Sequence, residues 1–321
     1  MRLKLPVIFL GVAISLGQVG AFAAPRAAAT PAAAPLVIDG TEIPVGRLKL
    51  FSTSALVLDQ QSGRVLYGKN QHAIVPIASI TKLMTSMVVL DADLDPAEPI
   101  AISAEDVDSL RRSPSRLRKG AVLARDDLLL LALMASENRA ASALARAYPG
   151  GREAFVDAMN LKAQLLGMNG TRFADSTGLS SANVSTADDL AAMVRAAHSY
   201  TKIREYSTTS AHQVRALGRK LAFRNTNRLI FNRRWDIGVS KTGFINEARG
   251  CLVMQVTLAG RAVVIVLLHS WGKYTRIGDA QRIRKWLELA LGQGPAPHRA
   301  VSGKSRRQFS ARAPSKGVSG S

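Results

Sequence analysis

The sequence predicts an α+β fold: an antiparallel sheet flanked by helices, with an all-helical lobe inserted between its strands. Three observations carry this expectation. Strand-like runs open the folded part, helical runs fill the middle, and further strand-like runs return late, closed by a last helix. The late strands lie close enough in sequence to form hairpins, which makes the sheet antiparallel.

The elements follow in order. MRLKLPVIFLGVAISLGQVGAFAAP sets Arg2 and Lys4 before an apolar run from Leu5 to Leu16, then small residues at Ala21 and Ala23. That layout predicts a secretory signal peptide over residues 1–23, since the apolar run is short for a membrane span. PRAAATPAAAPL lacks periodicity, so residues 24–46 are expected to be a linker. STSALVLD and RVLYGK, separated by QQSG, predict a β-hairpin. In IASITKLMTSMVVL, Ile80, Leu83, Met84, Met87 and Val88 recur at helical spacing. The helical middle is DDLLLLALMAS, NRAASALARAY, GREAFVDAMNLKAQLLG with Gly167 as its stop, and STADDLAAMVRAAH with Ser185 as its cap. RWDIGVSKTG, GCLVMQVTLAG and AVVIVLLHS predict strands, and GDAQRIRKWLELAL a final helix. Residues 47–292 are therefore expected to be one folded domain, with a ligand cleft between sheet and lobe. Residues 293–321, rich in Gly, Pro, Ser and basic side chains, predict a disordered tail.

Composition narrows the partners. A hydrophobic fraction of 47% supports a sizeable core. Lys and Arg number 43 against 23 Asp and Glu, a formal charge of +20 that favours anionic surfaces. Nucleic acid is disfavoured by the export signal and by charge spread along the chain rather than gathered on a reading helix. The basic tail is either a solvated segment or one that adheres to anionic murein or membrane lipid. Cys251 is the single cysteine, so no intramolecular disulfide can form, and its apolar neighbours predict a buried strand. The five histidines show no metal-binding spacing, and neither metal nor cofactor is expected.

Chemistry is first suggested by Ser79 and Lys82, three residues apart at a helix entrance. S-x-x-K arises by chance roughly once in a chain of this length. It occurs here as Ser79/Lys82, Ser199/Lys202 and Ser270/Lys273. Only the first opens a helix, where the macrodipole stabilises a developing alkoxide and disfavours an ammonium one turn on. The plainer reading, Ser79 as a helix cap and Lys82 as a surface charge, stays open on local grounds. S-x-N follows at Ser136-Glu137-Asn138 and again at Ser181-Ala182-Asn183. Lys241-Thr242-Gly243 occurs once, on a strand. In a serine acyl-transfer site Lys241 adds positive charge for a carboxylate and for Ser136. Thr242 offers a hydroxyl there, and Gly243 permits close backbone approach.

In that order, Ser79-Ile-Thr-Lys82, Ser136-Glu-Asn138 and Lys241-Thr-Gly243 resemble the active-site motifs of penicillin-binding proteins and serine β-lactamases. PIASITKLM, LALMASENRAA, FRNTN, SKTGF, GCLVM and GKYT resemble the low-molecular-mass D-alanyl-D-alanine peptidases, most closely endopeptidases of the penicillin-binding protein 7 type. The resemblance implies a β-lactamase/transpeptidase-like fold and a periplasmic serine peptidase, without cofactor, cleaving D-Ala cross-links of peptidoglycan. It implies Ser79 as nucleophile, Lys82 as its base, and Ser136, helped by Lys241, as proton donor to the leaving amine. Backbone N–H groups of Ser79 and Phe244 would form the oxyanion hole, Asn138 would hold Lys82 and the substrate amide, and Thr242 the substrate carboxylate. β-Lactams would be covalent inhibitors. Two departures matter. Thr226 stands in Asn225-Thr226-Asn227 where carboxypeptidases often carry arginine, which favours cross-links over free carboxyl ends. No E-x-x-L-N element is present, so a penicillin adduct should persist. The competing expectations are a D,D-carboxypeptidase on uncross-linked stems, a β-lactamase, and a non-enzymatic binder of anionic polymer.

Overall fold

Strands that read as unbroken apolar runs, rather than as alternating ones, must be covered on both faces. That is how the late runs fold in this computed structural model, which describes residues 36–38, 41–43 and 48–291. The expected signal peptide and basic tail lie outside the described residues. In the stretch expected to be linker, β1 (Leu36–Ile38) and β2 (Thr41–Ile43) pair antiparallel.

The predicted hairpin is β3 (Ser54–Asp59) and β4 (Val65–Lys69). After β5 (Val75–Pro76), a 3-10 turn at Ala78–Ile80 leads into α1 (Thr81–Asp91). A small ribbon, β6 (Pro99–Ala101) with β7 (Val122–Ala124), precedes the predicted helices α2 (Arg125–Met134), α3 (Asn138–Arg146) and α4 (Gly151–Leu165). Then come β8 (Val184–Ser185), paired with β5, and α5 (Ala187–Ser199). Next are α6 (Thr201–Thr208) and the hairpin β9 (Ala211–Ala216) and β10 (Arg219–Arg224). The chain closes through β11 (Asp236–Ile245), β12 (Arg249–Leu258), β13 (Arg261–Ser270) and α7 (Thr275–Ala290).

Five strands form the main sheet in the order β11-β12-β13-β3-β4, each neighbour antiparallel. Side chains alternate between its faces. Leu252, Met254, Ile265, Leu267 and Val57 pack against Ile283, Trp286 and Leu287 of α7. Val253, Val264, Val266, Leu56 and Leu58 face a second core that runs on through Met84, Leu131, Leu144 and Phe155 of the helical lobe. Sheet and lobe thus share one apolar interior, and β11, one of the sheet's two edge strands, is left to line the cleft.

The structure corrects the cap of α5. Ser185 is still extended, paired with Val75, and Thr186 is the residue whose hydroxyl accepts from the Asp189 N–H at 3.1 Å. α6 and the β9–β10 hairpin were not foreseen. The hairpin turn is made by Leu217 and Gly218, both at positive φ (48° and 71°), and leucine is a poor flag for such a turn. No helix among the described residues is long and apolar enough to cross a membrane.

A fully buried carboxylate ties the first described loop to α7. Asp279 accepts from the Phe51 N–H (3.0 Å), the Ser52 N–H (2.7 Å) and the Ser52 hydroxyl (2.7 Å). Removing it orphans those donors, so Asp279→Ala should cost about 2–4 kcal/mol in urea unfolding, whereas Asp279→Asn should retain part of the bonding.

Candidate active site

Ser79 is not a helix cap. It lies in the 3-10 turn before α1, and Ile80, the capping position, makes no side-chain cap bond. The residue before it, Ala78, is held at φ 49°, in the left-handed region that costs a non-glycine residue energy. Lys82, one turn into the helix, is completely buried (0% exposed). Its Nζ lies 2.9 Å from Ser79 Oγ, 2.7 Å from Asn138 Oδ1 and 2.6 Å from the Thr177 carbonyl oxygen. Burial brings its pKa down to about 7, against the opposing pull of the Asp175, Glu137 and Asp108 carboxylates. The two carbonyl oxygens cannot donate, so they must accept two of the amine's N–H groups. When the amine is neutral, the remaining tetrahedral direction, its lone pair, is left for Ser79 Oγ at 2.9 Å.

The Thr177 carbonyl was missed from the sequence, because a backbone oxygen leaves no residue signature. Its loop is built around Asp175, which accepts from the N–H groups of Thr177 (2.6 Å), Gly178 (2.6 Å) and Ser180 (2.9 Å). Burial opposes the Asp175 charge, yet these bonds hold its carboxyl below the usual range. Asn183 of the second S-x-N also bonds Asp175, at 2.9 Å, and its amide oxygen accepts from Ala174; it braces the loop instead of entering the site.

Ser136 joins α2 to α3 at φ 59°, another left-handed non-glycine residue. That conformation turns its hydroxyl to Lys241, whose Nζ donates to Ser136 Oγ and to the Thr242 carbonyl, both at 2.9 Å. Burial, then the positive charges of Lys82 and Arg276, hold Lys241 well below the ordinary lysine range. Asn138 begins α3; while its Oδ1 accepts a hydrogen bond from Lys82 Nζ, its Nδ2 donates to Ser113 Oγ at 2.9 Å. Glu137 points away from these groups. It caps α3 through the Arg139 N–H and accepts from the Ser115 hydroxyl, and burial raises its pKa.

β11 runs against the turn that carries Ser79. A Cβ on Gly243 would come within 2.9 Å of the Ile77 carbonyl and 3.1 Å of Ser79 N, so the absence of a side chain permits the contact. Phe244 follows with its ring 61% exposed at the cleft edge. Thr242 Oγ1 donates to Thr226 Oγ1 at 2.7 Å, linking the K-T-G and N-x-N segments. Arg276, on the first turn of α7, was also missed. It reaches the Gly243 carbonyl at 3.5 Å, and its buried Nε has no partner among the described residues.

The other S-x-x-K pairs do not meet. Ser199 bonds its own helix and Lys202 pairs with Asp126, while Ser270 bonds Ser52 and Lys273 lies over the Tyr274 ring. Cys251 is buried on β12 and its thiol is pushed up to about 11 by burial, which keeps it protonated and unreactive. Among the described residues no group of His, Cys, Asp or Glu is placed to hold a metal ion.

A family profile described as D-alanyl-D-alanine carboxypeptidase, peptidase family S11, matches residues 41–271. The chain belongs to this family of serine peptidases. A protein named D-alanyl-D-alanine endopeptidase from Pseudomonas aeruginosa is 52% identical over 75% of this chain and 78% of its own. A second of that name, from Escherichia coli, is 43% identical over 81% of this chain and 84% of its own. Among solved structures, a Streptomyces DD-transpeptidase superposes with a TM-score of 0.70 at 27% identity, covering 74% of this chain and 97% of that one. The β-lactamase/transpeptidase-like fold expected from the motifs is therefore the fold of this S11 peptidase.

Gly178 is the tightest point of the site. It adopts φ 77°, and a Cβ there would lie 2.0 Å from the Ala78 carbonyl oxygen. Gly178→Ala should therefore cost at least about 2 kcal/mol in thermal or urea unfolding.

Proposed function

We propose that this enzyme is a periplasmic D-alanyl-D-alanine endopeptidase that opens D-Ala cross-links of peptidoglycan through an acyl-enzyme on Ser79. The observation that carries the reading is the Lys82 amine, buried and aimed at Ser79 Oγ by two carbonyl oxygens. The endopeptidase names of the two curated relatives support the choice of substrate.

In this mechanism neutral Lys82 accepts the Ser79 proton as Oγ attacks the D-Ala carbonyl carbon. The N–H groups of Ser79 and Phe244 receive the developing oxyanion, a term worth ~3 kcal/mol per donor. The C–N bond breaks as Ser136, with Lys241 beside it, gives its proton to the departing amine. The proton held on Lys82 offsets the one Ser136 gave. Water then attacks the ester and returns Ser79 to its hydroxyl form. Asn138 holds Lys82 and the substrate amide, and Gly243 lets the substrate backbone approach β11. Thr242 meets the carboxylate on the leaving residue, and we add Arg276 as its cationic support, since a half-buried guanidinium with an unpartnered Nε suits an anion. Residues 1–23 serve as the signal peptide, 24–46 lead into the peptidase domain at 47–292, and the basic tail at 293–321 adheres to anionic murein or lipid.

A D,D-carboxypeptidase using the same groups is the competing reading, and purified muropeptides separate the two. The wild-type enzyme should split cross-linked dimers and form a long-lived penicillin adduct. Ser79→Ala should do neither while keeping its melting temperature; release of D-alanine without dimer cleavage would overturn the endopeptidase reading. The pH dependence follows from Lys82. With its pKa brought down to about 7, the amine is neutral and competent above that pH and protonated below it. The acylation rate should rise from pH 5.5 to a plateau above pH 8, with a midpoint of about 7. A flat profile across that window would sink the assignment of Lys82 as the base.

A further inference from the structure

Beside the motif residues lie two hollows that the mechanism above does not use. The first, about 480 Å³, opens between the loop at 114–116 and β10, and includes Arg116, Ala135, Glu137, Phe223 and Arg224 in its lining. Ala135 and Glu137 are the chain neighbours of Ser136, so this hollow lies beside the α2–α3 turn that carries Ser136. The second, about 300 Å³, shares Ser115 and Arg116 with the first and continues along the hairpin past Arg118, Leu217, Arg219 and Leu221. Joined at Ser115 and Arg116, the two form a trench that runs from beside the α2–α3 turn along the hairpin.

Apart from Glu137, every ionisable side chain in the walls of this trench is an arginine. Arg116 pins the loop to the strand by donating to the Ala222 carbonyl and lies 5.7 Å from the Phe223 ring centroid. Arg224 lies 5.0 Å from the centroid of Phe231. Among the described residues no carboxylate comes within ion-pair distance of Arg116, Arg118, Arg219 or Arg224. Glu137 is the one acid in the lining, and it is buried and engaged with Ser115 and the Arg139 N–H. Phe223, Leu221 and the exposed Leu217 add apolar surface between the guanidinium groups. Exposed cations, two of them held against aromatic rings, with apolar patches between them and no free acid suit a peptide that carries several carboxylates.

We propose that the arginine-lined trench binds the amine half of the cross-link, the second stem peptide with its free carboxylates, and so selects cross-linked substrate over a single stem. The proposal rests on the endopeptidase reading. A leaving D-alanine ends at Ser136 and Thr242 and leaves the trench empty. A leaving stem peptide continues past Ser136 and meets Arg224 and Arg116 first, then Arg118 and Arg219. The trench therefore adds binding for one substrate class and none for the other.

The test compares wild type with the double variants R219E/R224E and R219Q/R224Q on purified muropeptide dimers, on a monomeric pentapeptide, and in acylation by penicillin. For the charge reversal, kcat/KM on dimers should fall about tenfold, mainly through KM, with the neutral variant in between. D-Alanine release and penicillin acylation should stay within about twofold, which also reports that the variants fold. Raising NaCl from about 0.05 M to about 0.5 M should weaken wild-type dimer cleavage and have little effect on the reversed variant. A reversed variant that cuts dimers with wild-type kcat/KM overturns the trench alone. Equal losses on dimer, pentapeptide and penicillin also overturn it, since the arginines would then act on the reacting groups. A wild-type enzyme that forms the penicillin adduct but cuts no dimer overturns the endopeptidase reading, and the trench falls with it.

Discussion

Everything in the cleft depends on keeping one lysine dry. An ammonium at a site with no solvent access must be neutralised, ion-paired or expelled. Here Lys82 has no carboxylate within bonding distance; its partners are two carbonyl oxygens and a hydroxyl. The nearby acids act only from a distance, which leaves the amine near neutrality instead of locking it in the charged form. An ion pair in the same place would stabilise the charge and leave no lone pair. Lys241 shows the same design applied twice: buried, without an acid, and positioned by oxygen acceptors.

Holding such groups requires backbone that ordinary elements do not supply. Ala78, Ser136 and Gly178 all sit at positive φ around the cleft, and two of them are not glycine. Strained residues of this kind persist only where their surroundings over-determine them. The surroundings are visible: Thr85 bonds the Ser176 carbonyl, Ser176 bonds the Ala141 carbonyl, and the Asp175 turn is closed by several N–H donors. α1, α3 and the 175–180 loop are thereby sewn into one unit, with β11 laid against it at Gly243.

How much of this was legible in the sequence varies with the kind of signal. The main sheet, α1 to α5 and α7 show in the periodicity, because their apolar residues face cores on one or both sides. Ser79, Lys82, Ser136, Asn138 and Lys241 could be picked out because side-chain chemistry at fixed spacing is what a motif records. The 3-10 turn under Ser79 could not, since Ala78 and Ile80 look like helix formers and the turn is imposed by the neighbouring loop. Thr177 contributes a carbonyl that any residue possesses. Arg276 lies in a helix rich in basic residues, where nothing local marks it from Arg282 or Arg284, and only the fold turns it toward Gly243. α6 has few apolar residues, and the β9–β10 hairpin turns on a leucine, so neither carries a strong local pattern.

Ser136 and Lys241 are 105 positions apart in the chain, and their hydroxyl–amine contact forms only once β11 has docked. The groups that would activate Ser79 likewise come from α1, α3 and a loop beyond α4. No fragment of this polypeptide that lacks residues between 79 and 241 can assemble these contacts. A peptidase built this way stays silent while its domain is incomplete or unfolded. Latency is a property of its topology, and it ends when the last strands close the sheet.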